Sequence, residues 1–110
     1  MSEDRQHPRV SYSGLVFVSW QNFHGERNHV LGRCRDISEH GLGVELNKRI
    51  PVGAFIKVSA SSLNLDCSAI VRHASLSAGR YVLGLELSKP LDPEILNDLS
   101  ETQVLAAATA

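Results

Sequence analysis

Apolar and polar residues alternate with period two along most of the chain. Val16, Val18 and Trp20 follow this pattern, as do Leu42, Val44 and Leu46. It continues through Ala54, Ile56, Val58 and Ala60, then Leu63, Leu65, Cys67, Ala69 and Val71, and finally Tyr81, Leu83, Leu85 and Leu87. A period of two puts one face of a strand against a core and the other in water. With "VLGRCRDI" (residues 30–37) as a further segment, the pattern predicts six strands. The intervening stretches carry turn chemistry: "NFHGERN", "SEHG", "KRIPVG", "SSLN" and "LSAGR". Short strands joined by short loops favour an antiparallel barrel or sandwich, and closure into a barrel removes exposed edges.

The second strand contains a conflict of parity. Cys34 shares its face with Asp36 and Ser38, yet Ile37 belongs in the core. Both Cys34 and Ile37 can be buried only if an extra residue breaks the alternation, so a β-bulge is expected near Arg35. The chain then changes character at "LDPEILNDL". Asp92 suits a helix cap, Pro93 the first helical position and Glu94 the positive end of the helix dipole. Leu91 and Leu96 have the spacing of a hydrophobic staple. Ile95, Leu96 and Leu99 form a narrow apolar stripe that can lie against a barrel. The expected fold class is therefore all-β with a C-terminal helix.

Composition narrows the function classes. A chain of 110 residues with 43% hydrophobic and 21% charged residues reads as one ordinary globular domain. The net charge of −1 and the 5% aromatic content argue against nucleic-acid binding through a basic groove and stacking platforms. The polar start "MSEDRQHPR" does not read as a secretory signal, and no apolar run approaches a membrane span, so a cytoplasmic setting with reduced thiols is expected. Cys34 and Cys67 read as buried small hydrophobes. The five histidines lack metal-ligand spacing, and no nucleophile–base motif stands out. Neither a metal, a cofactor nor catalysis is expected.

Two short stretches remain. "RQHPR" places Arg5 and Arg9 four residues apart, ahead of the first strand. "DISEHG" places Asp36 and Ser38 on one face, with Gly41 closing the loop. Taken singly, the arginines read as solvated charge and the second stretch as a turn. Together they carry a specific chemistry. An arginine fork can grip a phosphate, pair with the major-groove edge of guanine and stack on a base. A carboxylate accepts from the N–H donors of guanine's Watson–Crick edge, and a hydroxyl can donate or accept beside it. Gly41 either permits positive φ or lets a ligand approach the backbone. Gly43 reads as a strand glycine.

RxxxR followed by (D/N)xSxxG resembles the PilZ domain, a bacterial receptor for the second messenger cyclic di-GMP. "GLGVEL" after the second motif and "YVLGLEL" at residues 81–87 are also similar to that family, and the resemblance covers residues 5–100. It implies a six-stranded antiparallel β-barrel with a C-terminal helix. Residues 1–9 would be a flexible arm, 10–100 the barrel and helix, and 101–110 the helix end or a frayed tail. The arm would wrap onto the barrel when ligand binds. The resemblance also implies ligand roles for five residues. Arg5 and Arg9 would contact phosphate and guanine, Asp36 the Watson–Crick edge, Ser38 the same nucleotide, and Gly41 would shape the loop. The signal would pass to a partner protein. Many family members that bind a ligand dimer carry an arginine just before RxxxR, where this chain has Asp4. Two other readings compete: a PilZ-like interaction module that binds no nucleotide, and a small-barrel binder of single-stranded nucleic acid.

Overall fold

A computed structural model of the chain describes residues 10–99. Its six strands are β1 (Val10–Gln21), β2 (Arg27–Ser38), β3 (Gly41–Leu46), β4 (Phe55–Ala60), β5 (Leu65–Ser77) and β6 (Arg80–Leu87). Every pairing is antiparallel, and the order β1-β2-β3-β6-β5-β4 closes on itself as a barrel. Closure rests on a short pairing of β1 with β4, from Phe17↔Ser59 to Ser19↔Lys57.

The alternating positions fill the barrel. Val16, Val18, Leu42, Val44, Leu46, Ile56, Val58, Val71 and Leu83 are all buried. Removing each such side chain from water contributes about 1.5–3 kcal/mol, which drives the barrel to close around them. Trp20 is half-buried and packs against this core. Cys34 is buried as expected, but Cys67 is only half-buried.

Two details differ from the sequence reading. Leu63 is not a strand residue: it ends a single 3-10 turn (Ser61–Leu63) that plugs the barrel with a buried side chain. Asn64 closes that turn in the left-handed region at φ 51, donating its N–H to the Ser61 carbonyl at 3.0 Å. Ala54 lies just outside β4, its N–H held by the Pro51 carbonyl at 3.1 Å. Alternation alone cannot separate a strand residue from an inward-pointing residue of an adjoining turn.

Residues 93–99 are helical, forming α1. Asp92 caps it: Glu94 donates its N–H to Asp92 Oδ1 at 2.9 Å, and Ile95 and Leu96 donate to the Asp92 carbonyl at 3.1 and 3.2 Å. Leu91 is buried, and Ile95, Leu96 and Leu99 pack against the core. The helix entry is tied to the β2–β3 loop, because Leu91 donates its N–H to the Glu39 carbonyl at 2.8 Å.

Candidate functional site

The end of β2 and the start of β3 form a hairpin with a two-residue loop, Glu39 and His40, between the paired residues Ser38 and Gly41. Both loop carbonyls are anchored: His40 accepts from Leu87 at 2.9 Å and Glu39 from Leu91 at 2.8 Å. The stretch "DISEHG" is therefore held against β6 and the approach to α1.

What this hairpin displays is decided by a bulge. Along the β2–β3 ladder, Cys34 pairs with Val44 and Asp36 with Gly43, so Arg35 has no partner on β3. The extra residue lies where the parity conflict required it. Cys34 and Ile37 are both buried, at 1% and 0% exposure, while Asp36 and Ser38 turn to the outer face. The β1–β2 ladder is irregular at the same level, between Ser11 and Gly14. Without the bulge, strict alternation would carry the Asp36 carboxylate inward with Cys34.

Asp36 is half-buried and Ser38 is buried at 7% exposure, yet both belong to the outward set of β2. Gly41 lies on the same face of β3, paired with Ser38 on one side and Glu86 on the other. Its backbone is extended and its φ is not positive, so the conformational reason offered for glycine there does not apply. Of the two readings, close approach to the backbone remains.

Gly43 has a role that the sequence reading did not assign. A Cβ at Gly43 would lie 2.8 Å from Asp36 Oδ1 and 3.0 Å from Oδ2. The carboxylate lies across the bare backbone of β3, and glycine is what leaves room for it. The signal was present in "GLGVEL": two glycines on one strand face, beside an acid on the neighbouring strand.

Arg5 and Arg9 lie outside the described residues. Chain connectivity still bears on Arg9, because β1 begins at Val10. Val10 pairs with Ile37 and Ser11 with Asp36, so the first described residues lie alongside the motif.

Other charges on this side are engaged. Arg33 donates from Nη1 to Ser13 Oγ at 3.3 Å. Arg35 and Arg80 both approach Glu45, at 3.9 and 3.8 Å. These groups are solvent-accessible, so each pair contributes about 0–1 kcal/mol at most. Beneath them, the Cys34 thiol donates to the Asp36 carbonyl at 3.4 Å. Burial, reinforced by the neighbouring Asp36 charge, pushes this thiol up from its ordinary 9.0 to about 12. It stays protonated and unreactive. Among the described residues, no group of three or more histidine, cysteine, aspartate or glutamate side chains could hold a metal ion. No helix there is long and apolar enough to cross a membrane. The arrangement offers a carboxylate, a hydroxyl and bare backbone on a convex sheet, which suits recognition of a polar ligand.

The sequence profile of the PilZ domain matches residues 3–102. The chain belongs to the PilZ domain family. PilZ domains are receptors for cyclic di-GMP and are non-catalytic modules. No curated protein matches the chain. Among solved structures, the PilZ domain of YcgR from Escherichia coli, determined with cyclic di-GMP, superposes with a TM-score of 0.60 at 16% identity, over 97% of this chain and 98% of that one. The inhibitor of motility MotI/DgrA from Bacillus subtilis gives a TM-score of 0.65 at 17% identity, and the K. pneumonia MrkH–cyclic di-GMP complex 0.58 at 13%. These two cover 98% and 99% of this chain, which spans only 53% and 54% of their lengths. At such identities the likeness is one of fold: the six-stranded PilZ barrel with its C-terminal helix.

Proposed function

We propose that this PilZ domain is itself a cyclic di-GMP receptor, with the ligand held between the residue 1–9 arm and the outer face of the β2–β3 hairpin. Asp36 accepts from the Watson–Crick edge of one guanine, and Ser38 hydrogen-bonds the same nucleotide. Gly41 admits the ligand close to the backbone. Arg5 and Arg9 supply the cations that two phosphates require and pair with or stack on guanine. One observation carries this reading: the bulge at Arg35 turns Asp36 and Ser38 outward beside the residues that directly follow Arg9. Binding orders the arm on the barrel, and the altered surface signals to a partner protein in the bacterial cytoplasm. The YcgR and MrkH structures with cyclic di-GMP support the ligand class.

Calorimetric titration with cyclic di-GMP tests this. The expected result is saturable binding, weakened about tenfold or more by Arg9→Ala, the equivalent of about 1.4 kcal/mol or more. Asp36→Ala weakens binding too and narrows the preference over cyclic di-AMP. Affinities unchanged in both variants would remove the site assignment. The alternative, a PilZ barrel that docks a protein without nucleotide, draws on Asp4, an anionic neighbour to a doubly anionic ligand. It predicts no heat and no chemical-shift change on adding cyclic di-GMP.

A further inference from the structure

The outward row that holds Asp36 continues across three more strands. Asp36 pairs with Gly43, Gly43 with Gly84, and Gly84 with His73. The two middle strands, β3 and β6, present no side chain in this row. It reads acid, bare backbone, bare backbone, imidazole. At the usual strand spacing, the Cα atoms of Asp36 and His73 are about 14 Å apart.

The imidazole end is built like the acid end. On β5, Val71 pairs with Leu85 and His73 with Gly84, so Arg72 is an extra residue without a partner on β6. Val71 is buried. Strict alternation would send His73 inward behind it, and the bulge turns it out. The ring then lies against Gly84: a Cβ there would fall 2.2 Å from His73 Nε2 and 2.3 Å from Cε1. Arg72 is drawn aside to Glu86, with Nε 2.5 Å from Oε1. The outer face of an exposed, flat, supported ring is left toward solvent, at the far end of the row from Asp36.

We propose that His73 is a second ligand-contacting residue of this site, its imidazole serving as a stacking platform for the guanine that Asp36 does not hold. The inference rests on the cyclic di-GMP reading above. The ligand carries two guanines, and the row offers two unlike ends, an acceptor for a base edge and a ring for a base face. Bases stack readily on histidine. Gly84 acts as a positioning residue, since only a missing side chain lets the ring lie down.

The competing explanation is structural: the ring merely covers a strand glycine. Cyclic di-GMP titrations of the full chain separate the two. His73→Leu covers Gly84 without an aromatic face, and His73→Phe keeps the face. Stacking predicts that His73→Leu and Gly84→Ala lose about 5- to 100-fold in affinity, corresponding to about 1–3 kcal/mol per stacked base. His73→Phe stays within about twofold of the wild type. Wild-type affinity in folded His73→Leu, or an equal loss in His73→Phe, overturns the platform. If Asp36→Ala loses affinity while His73→Leu does not, only this inference falls. If the folded wild-type chain binds no cyclic di-GMP, the receptor reading falls and takes this one with it.

Discussion

Gly43→Ala separates the architecture of the barrel from the chemistry on its surface. The new methyl would start 2.8 Å from Asp36 Oδ1, 3.0 Å from Oδ2 and 3.1 Å from Cγ. Ordinary carbon contacts are about 3.5–4.0 Å, so something must move. Aspartate is short but can rotate about χ1, and swinging the carboxylate off β3 is easier than displacing a strand paired on both sides. Holding it off its preferred rotamer costs roughly 0.5–1.5 kcal/mol. The φ of Gly43 is not positive, so alanine is tolerated there and recovers roughly 0.4–1 kcal/mol by restricting the unfolded chain. The two effects nearly cancel, and the melting temperature should change by no more than about 4–8 °C, the shift expected for about 1 kcal/mol. Binding should behave differently. A displaced carboxylate loses a contact of about 1–3 kcal/mol, or about 5- to 100-fold in affinity for cyclic di-GMP. Calorimetric titration paired with thermal unfolding reads both quantities. The double variant with Asp36→Ala should bind no more weakly than Asp36→Ala alone, because both changes act through one side chain. Undiminished affinity in Gly43→Ala would refute the argument, as would additive losses in the double variant.

Three further outcomes are expected. Deleting Arg35 removes the extra residue yet leaves Cys34 and Ile37 inward with Asp36 outward between them, so it buries no carboxylate and should cost no more than about 0.5–3 kcal/mol, whereas Arg35→Ala keeps the bulge and changes stability by about 0.5 kcal/mol or less; urea unfolding compares them. Ala78 occupies the left-handed region at φ 52 in the β5–β6 turn, next to Gly79 at φ 78, so Ala78→Asn should raise stability by about 1 kcal/mol in thermal denaturation. Thiol titration of the native protein at pH 8 should find Cys67 accessible and Cys34 silent until unfolding. Because the folded protein holds the Cys34 proton more tightly than the unfolded chain does, the stability this thiol contributes is present below pH 9.0 and is lost as pH rises toward about 12. The difference in unfolding free energy between wild type and Cys34→Ala should shrink over that window.

Local patterns were enough for the six strands, the all-β class and the capped helix at Asp92. Each depends on neighbours in the chain: alternation, turn residues and the first helical turn. The bulge at Arg35 was also legible, because two apolar residues an odd number apart, Cys34 and Ile37, made incompatible demands on one strand. No such conflict marks Arg72, since the residues after Val71 carry no strong apolar demand, and the turning-out of His73 could not be read. Gly43 was legible as a glycine but not as the floor beneath Asp36, and Leu63 as apolar but not as a plug on a 3-10 turn. Which strand lies beside which is a long-range property. The pairings Asp36–Gly43–Gly84–His73 join residues as far as 41 positions apart in "DISEHG" through "YVLGLEL". Apolar alternation was enough to tell which apolar residues face in and where the chain turns, because burial of apolar side chains acts residue by residue. Only the closed barrel decided which outward residues meet, because register across strands is settled by all six packing around one core.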